Sequence, residues 1–447
     1  MSRRSKIKIA ITTINAIKRE VEKVFGYPIN NTPSCQKLSL NIYEKTGHIL
    51  NYNTVRRFFG LLPNNQAQIN ISSLTILANY CGYINLKHFS EVREDLTVND
   101  LHYFSNYLLD KQSIDFEFVN DVCEKYYKYN ELYQFIDKCI LLAHVKNDAD
   151  FLKRVFELSR IFNLSKHNKH FIYHLIQNYA CILLQRPEQI VVISKVIAQN
   201  VNARKFYFEW FVDINNLCKS YGFALVEYAK YEISSDAKIF NLNLQILKAF
   251  LRKDVNSLKS NSAFLSTEIK YFSRLHPILK GRCFASRIFL NYCLKENNTS
   301  KITKEIKREI TNFETKNNPS SDLQLFLIFV LQALQFCCYK KEMTTIIKYV
   351  NKRLLNITDH WTKDALNHLN IYFAQVKFYE NKIEEGLEIL KRVDIKKFPL
   401  FESKIQAISY NLTLIDYENM SENKKEVQKL SKEIKSISKE CGYKFWS

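Results

Sequence analysis

The chain has 447 residues, of which only 8 are Gly and 7 are Pro. This composition excludes β-rich and Gly-rich nucleotide-binding folds, which need many positive-φ turns. Hydrophobic residues make up 46% of the sequence, enough for a substantial core, and the formal net charge is +20. Such a charge indicates a polyanionic partner, and the alternative is a Lys- and Asn-rich composition without one.

The first ninety residues hold a disproportionate share of this charge. They contain 12 Lys or Arg and 3 acidic residues, so a fifth of the chain carries +9 of the total +20. A uniform composition bias does not concentrate charge in this way. The N-terminal module is therefore the candidate polyanion binder.

The first predicted helices follow from apolar spacing. One helix spans Lys6–Phe25, with apolar residues every three or four positions. A polar loop, Ile29–Ser34, precedes a second helix over Cys35–Thr46, which Gly47 ends. Its expected buried face holds Leu38, Ile42 and Tyr43.

A short third helix follows Asn51, whose side chain suits an N-cap. The residues spaced for burial are Val55, Phe58 and Phe59. The residues expected on the opposite face are Tyr52, Asn53, Arg56 and Arg57. Arg can bind guanine and Asn can bind adenine in the major groove, so the two helices predict a helix-turn-helix.

A fourth helix is predicted after the polar loop Pro63–Asn70. Ser72 or Ser73 is its expected cap, Gly82 ends it, and a short element over Asn85–Val92 follows. The residues expected to point inward are Leu74, Leu77, Ala78 and Cys81.

The segments "TGHILNYNTVRRFFG" (Thr46–Gly60) and "SSLTILANYCGYINLKHF" (Ser72–Phe89) resemble a Cro/repressor-type helix-turn-helix. The similarity is to a bacterial subgroup whose recognition helix reads T-[LV]-x-R-[LF]-[WF]-G. The matching residues are Thr54, Val55, Arg57, Phe58, Phe59, Gly60, Leu74, Leu77, Gly82, Tyr83 and Phe89. The resemblance implies that the helix Asn51–Leu61 binds double-stranded DNA.

The predicted DNA-binding residues are Asn51, Tyr52, Asn53, Thr54, Arg56 and Arg57. Arg56 is the favoured base contact. Arg57 either contacts DNA or pairs with Glu44 within the module. The alternative for the whole module is a small helical domain that docks a protein.

From about residue 97 onward the sequence predicts helix after helix with short breaks, which favours an α-solenoid of antiparallel pairs. Ala203–Tyr221 is predicted as one helix, and none is assigned between Lys253 and Pro277. Ala365–Arg392 resembles a tetratricopeptide unit, in which Gly386 permits close helix packing. The alternative is an irregular all-α domain.

Two further patterns leave alternatives open. The last predicted helix carries an apolar stripe, Val427, Leu430, Ile434, Ile437 and Cys441, which suits either a solenoid cap or a short coiled coil. His167, His170 and His174 share one helix face and suit an ordinary surface, a pH-responsive surface or a metal site. No carboxylate or Cys has matching spacing, so we expect no metal or cofactor.

The sequence therefore predicts an all-α protein with a helix-turn-helix domain over residues 1–95 and a tetratricopeptide-like domain over residues 96–447. The eleven Cys lack a Cys-x-x-Cys pair, and neither a secretory h-region nor a membrane span of ~18 apolar residues occurs. We expect a cytoplasmic, non-enzymatic transcriptional regulator. Its helical repeats sense a peptide or protein ligand on a concave face, form a homodimer, or do both, and the layout is analogous to regulators of the Rgg/PlcR type. The alternatives are an interaction scaffold and a nucleic-acid-associated defence protein.

Overall fold

A computed structural model describes residues 11–62, 70–87, 89, 116–126, 132–158, 183, 185–231, 234–268, 274–314, 319–354 and 362–446. These residues form twenty α-helices and no strand, so the predicted all-α class is confirmed for them. Within the same ranges, no helix has both the length and the apolar character that crossing a bilayer requires.

The chain divides into two compact units, Met1–Phe171 and Ile172–Ser447. The predicted domain boundary after residue 95 lies outside the described residues, as do His167, His170 and His174. The helices described in the first unit are α1 Ile11–Phe25, α2 Thr32–Thr46, α3 Tyr52–Phe59, α4 Ile71–Tyr80, α5 Phe116–Tyr126, α6 Leu132–Lys146 and α7 Ala149–Glu157.

Helices α1 to α4 share one apolar core. Its buried side chains include Ile17, Val21, Leu38, Ile42, Val55, Phe58, Leu74, Leu77 and Phe89. The predicted inward positions of these helices are therefore largely correct. Tyr43 is the exception, because 52% of its surface is exposed.

Two helix starts differ from the predictions. Helix α2 begins at Thr32 rather than Cys35, because the Asn31 side chain accepts a hydrogen bond from Ser34 N and Pro33 fits the first turn. Helix α4 is capped by Asn70 rather than by Ser72 or Ser73, since Asn70 Oδ1 accepts from Ser73 N at 2.8 Å. In both cases an Asn outside the predicted helix satisfies an amide of the first turn.

The second unit contains thirteen α-helices among its described residues. They are α8 Glu188–Ile197, α9 Val201–Arg204, α10 Ser220–Ala229, α11 Ser235–Leu251, α12 Val255–Glu268, α13 Pro277–Cys293, α14 Thr299–Glu314, α15 Pro319–Phe336, α16 Lys340–Leu354, α17 Lys363–Tyr379, α18 Ile383–Leu390, α19 Ser403–Met420 and α20 Lys424–Cys441.

Helices α11 to α20 form two layers. Each odd-numbered helix from α11 to α17 packs on the next odd-numbered helix, and each even-numbered helix packs on the odd-numbered helix that precedes it. The connections within the pairs are short, so paired helices run in opposite directions. Helix α20 packs along α19 and buries Leu430, Ile434 and Cys441, so its apolar stripe is covered within the chain.

The predicted single helix over Ala203–Tyr221 is wrong. Helix α9 continues as a π-helix only to Glu209, and a 3₁₀ turn follows at Ile214–Asn216. Beyond the break, Asn215 N and Nδ2 donate to Phe401 O and Leu400 O, at 3.1 and 2.6 Å, instead of continuing a helical ladder. The unassigned stretch before Pro277 also contains α12, a Ser- and Asn-rich helix that packs on α11.

The segment after α20 folds back onto the odd-numbered layer. The backbone amides of Lys444 and Phe445 both donate to Leu251 O at the end of α11, at 2.7 and 3.0 Å. The Phe445 ring lies 4.3 Å from the Phe250 ring, and the Trp446 ring lies 4.8 Å from the Phe336 ring at the end of α15. This aromatic segment therefore joins the last helix of the unit to helices much earlier in the chain.

Gly386 in α18 has the close packing that the sequence predicts. A Cβ at this position would lie 2.3 Å from Cε1 of Phe378 in α17. Such a distance is far inside normal carbon contact, so only glycine allows the two helices this approach.

Candidate nucleic-acid interface

The turn between α2 and α3 is fixed at both ends by local hydrogen bonds. Gly47 ends α2 with φ of 70°, a left-handed conformation that favours glycine. Ser39 Oγ in α2 donates to Leu50 O at 2.5 Å, and Asn51 Oδ1 accepts from Asn53 N at 2.9 Å. Leu50 is buried in the core of the module. The turn therefore holds α3 in a defined position against α2.

Helix α3 has one apolar face and one polar face. Val55 and Phe58 are buried, and Phe59 packs partly buried against the same core. The Phe58 and Phe59 rings meet edge to face at 5.1 Å. Gly60 ends the helix with φ of 77°. The core contacts fix the rotation of α3, and the polar side chains point away from them.

The six predicted DNA-binding residues lie together on α3 and its N-terminal cap. Asn51 and Arg57 are exposed, while Tyr52, Asn53, Thr54 and Arg56 are partly buried. Nη1 of Arg56 donates to Asn53 Oδ1 at 3.3 Å. The Asn51 side-chain oxygen is occupied by its role as the helix cap.

The two arginines have different environments. Arg56 lies partly buried toward α2, and its Nε is buried without a hydrogen-bond partner. Burial raises the pKa of the Cys35 thiol in α2, and the positive charge of Arg56 opposes that rise. Arg57 is exposed, and no ion pair joins it to Glu44, although both residues are described. The structure therefore leaves Arg57 freer than Arg56, the reverse of the sequence-based preference.

Among the exposed apolar residues of the module, the sequence analysis leaves out Leu40 and Ile49 and wrongly places Tyr43 on the buried face. Leu40 and Tyr43 of α2 and Ile49 of the turn are 65%, 52% and 80% exposed. Leu40 lies between the buried positions Leu38 and Ile42, and that offset is the signal that predicts its exposure. The exposure of Tyr43 depends on how α2 is rotated against the core, which its spacing alone does not fix.

The second unit has a cleft of about 670 Å³ between α16, α17 and α19. Lys340 and Lys348 line it, but their ammonium groups already pair with Asp416 and Glu380 at 3.2 and 2.6 Å. The Tyr379 hydroxyl donates to the same Asp416 at 2.9 Å. The cleft is thus an open surface with largely balanced charge.

Nothing in the described part of the chain assembles a metal centre: no group of three or more His, Cys, Asp or Glu is close enough there to hold an ion. Comparison of the sequence and the fold with protein-family models, with curated proteins and with solved structures finds no match.

Proposed function

We propose that this protein is a sequence-specific DNA-binding transcriptional regulator. In this proposal α2, the turn 47–51 and α3 form a helix-turn-helix, and α3 enters the major groove of double-stranded DNA. The second unit is a tetratricopeptide-like solenoid that senses a peptide or protein ligand, mediates dimerisation, or does both. The site of action is the cytoplasm, and the protein is not an enzyme.

The observation that carries the proposal is the polar face of α3. Its apolar side chains are buried in the module, while Arg57 reaches solvent without an ion pair to Glu44. A surface arginine without a local carboxylate partner keeps all its donors for guanine O6 and N7. Arg56 and Asn53 are already hydrogen-bonded to each other, so they would act as a pair.

The exposed lysines of the module supply the second part of the argument. Lys23, Lys37 and Lys45 are exposed, and such side chains can neutralise phosphates on either side of a groove. This distribution agrees with the +9 charge of residues 1–90. A single small helix-turn-helix buries little DNA surface, so we propose a homodimer that reads two half-sites.

The two-layer packing of α11 to α20 supports a solenoid. A helix pair cannot bury its apolar face alone, and stacking of successive pairs solves this problem. Gly386 permits the tight α17–α18 contact expected for a tetratricopeptide unit. Solenoids of this kind present extended surfaces for peptides and proteins, which suits a sensor.

The proposal is tested by DNA selection followed by a variant comparison. Genomic fragments bound by the purified full-length protein define the site, and fluorescence anisotropy then measures affinity as a function of salt. We expect Arg57→Ala to weaken cognate binding by about 1–3 kcal/mol, which corresponds to about 5- to 150-fold, and to relax sequence preference.

The matched control is Lys23→Ala, which removes an exposed positive charge from α1 of the same module. It should weaken cognate and random DNA equally. If Arg57→Ala and wild-type protein showed the same ratio of cognate to random DNA affinity, α3 would not read bases.

A second candidate function is protein docking by the same module. The exposed Leu40, Tyr43 and Ile49 favour it, because exposed apolar side chains suit contact with a protein partner. The two functions differ in salt dependence, since DNA affinity falls steeply with salt concentration and an apolar contact does not.

A further inference from the structure

Arg282 has an aromatic environment in the odd-numbered layer of the second unit. It lies on α13, and its guanidinium carbon is 5.5 Å from the centre of the Phe240 ring in α11. On the other side it is 5.0 Å from the centre of the Phe329 ring in α15. The cation is thus held between two helices by ring faces, which attract it without neutralising its charge.

No hydrogen bond or ion pair to the described residues satisfies this guanidinium. Other cations of the same helix are paired: Lys280 bonds to the buried carboxylate of Glu309, and Arg287 pairs with Glu305 at 2.5 Å. Burial lowers the pKa of Arg282 to about 10, and Tyr221 and Glu402 oppose this effect. Arg282 is therefore charged at neutral pH, and a charge that is partly removed from water without a hydrogen-bonding partner is costly.

Arg282 lines a small cavity together with three other polar residues. The cavity has a volume of about 30 Å³, and its other polar lining residues are Asn243, Ser286 and Gln332. Asn243 and Ser286 are already bonded within the protein: Ser286 Oγ donates to Asn243 Oδ1 at 2.6 Å, and Asn243 Nδ2 donates to Cys283 Sγ at 3.3 Å. The donors left for a ligand are therefore those of Arg282 and Gln332. Nε2 of the buried Gln332 lies near the Tyr372 hydroxyl, but the two form no well-aligned hydrogen bond.

We propose that this cavity binds the carboxylate of a ligand, with Arg282 as the counter-charge and Gln332 as a second donor. The inference rests on the proposed role of the helical repeats as a sensor and specifies what they recognise: a peptide carrying a free C-terminal carboxylate or an acidic side chain.

The size and the lining of the cavity favour a carboxylate over other anions. A volume of about 30 Å³ has room for about two water-sized atoms, which matches the two oxygens of a planar carboxylate better than a tetrahedral phosphate. Arg forms paired parallel hydrogen bonds with planar carboxylates. The remaining lining includes the apolar residues Leu244, Leu247 and Phe289. The cavity has room only for the carboxylate, so the rest of the peptide would lie outside it. Arg282 keeps part of its surface exposed, so a ligand can reach it from solvent.

Three capped dipeptides serve as probes for calorimetric titration of the full chain. Acetyl-Leu-Leu carries a C-terminal carboxylate, acetyl-Leu-Glu-amide carries only a side-chain carboxylate, and acetyl-Leu-Leu-amide carries neither. We expect one of the two carboxylates to bind at least tenfold tighter than the neutral amide, and the tighter one identifies the source. Equal binding of all three, or binding of none at ~10 mM, would overturn the proposal.

Variants of α13 assign the binding to Arg282. Arg282→Met should reduce carboxylate binding at least tenfold, and Arg282→Lys should reduce it less, because lysine keeps the charge without the bidentate geometry. Arg287→Met, on the same helix, should bind like wild type. Retention of binding by Arg282→Met would also overturn the proposal.

A second measurement separates ligand binding from a purely structural role. Without ligand, Arg282→Met should melt at the same temperature as wild type or higher, because an unpaired charge is removed. A lower melting temperature would instead give Arg282 a structural role and contradict the proposal. DNA affinity is measured in parallel. A protein that binds DNA but no carboxylate refutes only this inference, and a protein that binds a carboxylate but no DNA refutes only the regulator proposal.

Discussion

Replacement of Gly386 by alanine sets two opposing effects against each other. In a helix interior, alanine is more favourable than glycine by about 1 kcal/mol. In this protein, however, the added Cβ would lie 2.3 Å from Cε1 and 2.6 Å from Cδ1 of Phe378. To reach normal carbon contact, the ring must retreat by about 1 Å.

The ring has little freedom to retreat. Phe378 is only 1% exposed, packs with Ala374 and Leu390, and lies 5.5 Å from the Tyr417 ring. Overpacking of such a site costs about 1–3 kcal/mol, and the upper half of that range applies because the neighbours are also buried. We therefore expect Gly386→Ala to destabilise the second unit by about 1–2 kcal/mol after the helix gain is subtracted, and to lower its Tm by roughly 3–6 °C.

The assay is thermal unfolding followed by circular dichroism, with Phe378→Leu as the second arm of a double-mutant cycle. In the Phe378→Leu background the clash is relieved, so Gly386→Ala should be at least ~1 kcal/mol less costly. This difference exceeds the ~0.5 kcal/mol within which independent effects add. A Tm of Gly386→Ala equal to or above that of wild type would refute the reasoning, because helix preference alone would then decide the outcome.

Two further predictions concern the first unit. Burial lowers the pKa of His144 from 6.5 to about 3. As the pH falls below 6.5, His144 is therefore protonated in the unfolded chain but not in the folded protein. Between pH 7 and pH 5 we expect this difference to lower the free energy of unfolding by about 2 kcal/mol. Urea unfolding measures this loss, which should be absent in His144→Gln. If wild-type protein and His144→Gln lost the same stability between pH 7 and pH 5, His144 would not be its source. Asn51→Ala should lower stability by about 1 kcal/mol through loss of the α3 cap, whereas Asn51→Ser should retain most of it; equal losses in thermal unfolding would exclude the cap as the cause.

Apolar periodicity predicts most helices of this chain because amphipathic spacing reports directly on burial. The tight Gly386 contact follows from the resemblance to a tetratricopeptide unit, whereas the inward positions of α1 to α4 follow from such spacing. Helix α12 does not, since its Ser- and Asn-rich sequence has little preference of its own and packing on α11 holds it. The non-helical path after Glu209 is also missed, and its Asn215 is hydrogen-bonded to Leu400 and Phe401, which lie far away in the sequence.

The candidate site, too, is predicted only in part from the sequence. Spacing alone places the six polar residues together on α3 and its cap. The contrast between Arg56 and Arg57 depends on the depth of α3 against α2, a tertiary property that spacing does not contain. Arg282 escapes the sequence analysis because its environment is assembled from α11, α13 and α15, which contribute residues more than forty positions apart.

The return of Tyr443–Trp446 to α11 and α15 changes how the second unit should unfold. In a linear repeat array each repeat touches only its neighbours, so the terminal repeat can melt while the others remain folded. Here the hydrogen bonds to Leu251 and the ring contacts with Phe250 and Phe336 connect the last segment to the first and third helix pairs. Unfolding of α20 and the segment after it would therefore also expose Phe250 and Phe336 to solvent. The layers are thus coupled end to end, and we expect them to unfold as one cooperative block rather than by fraying from one end.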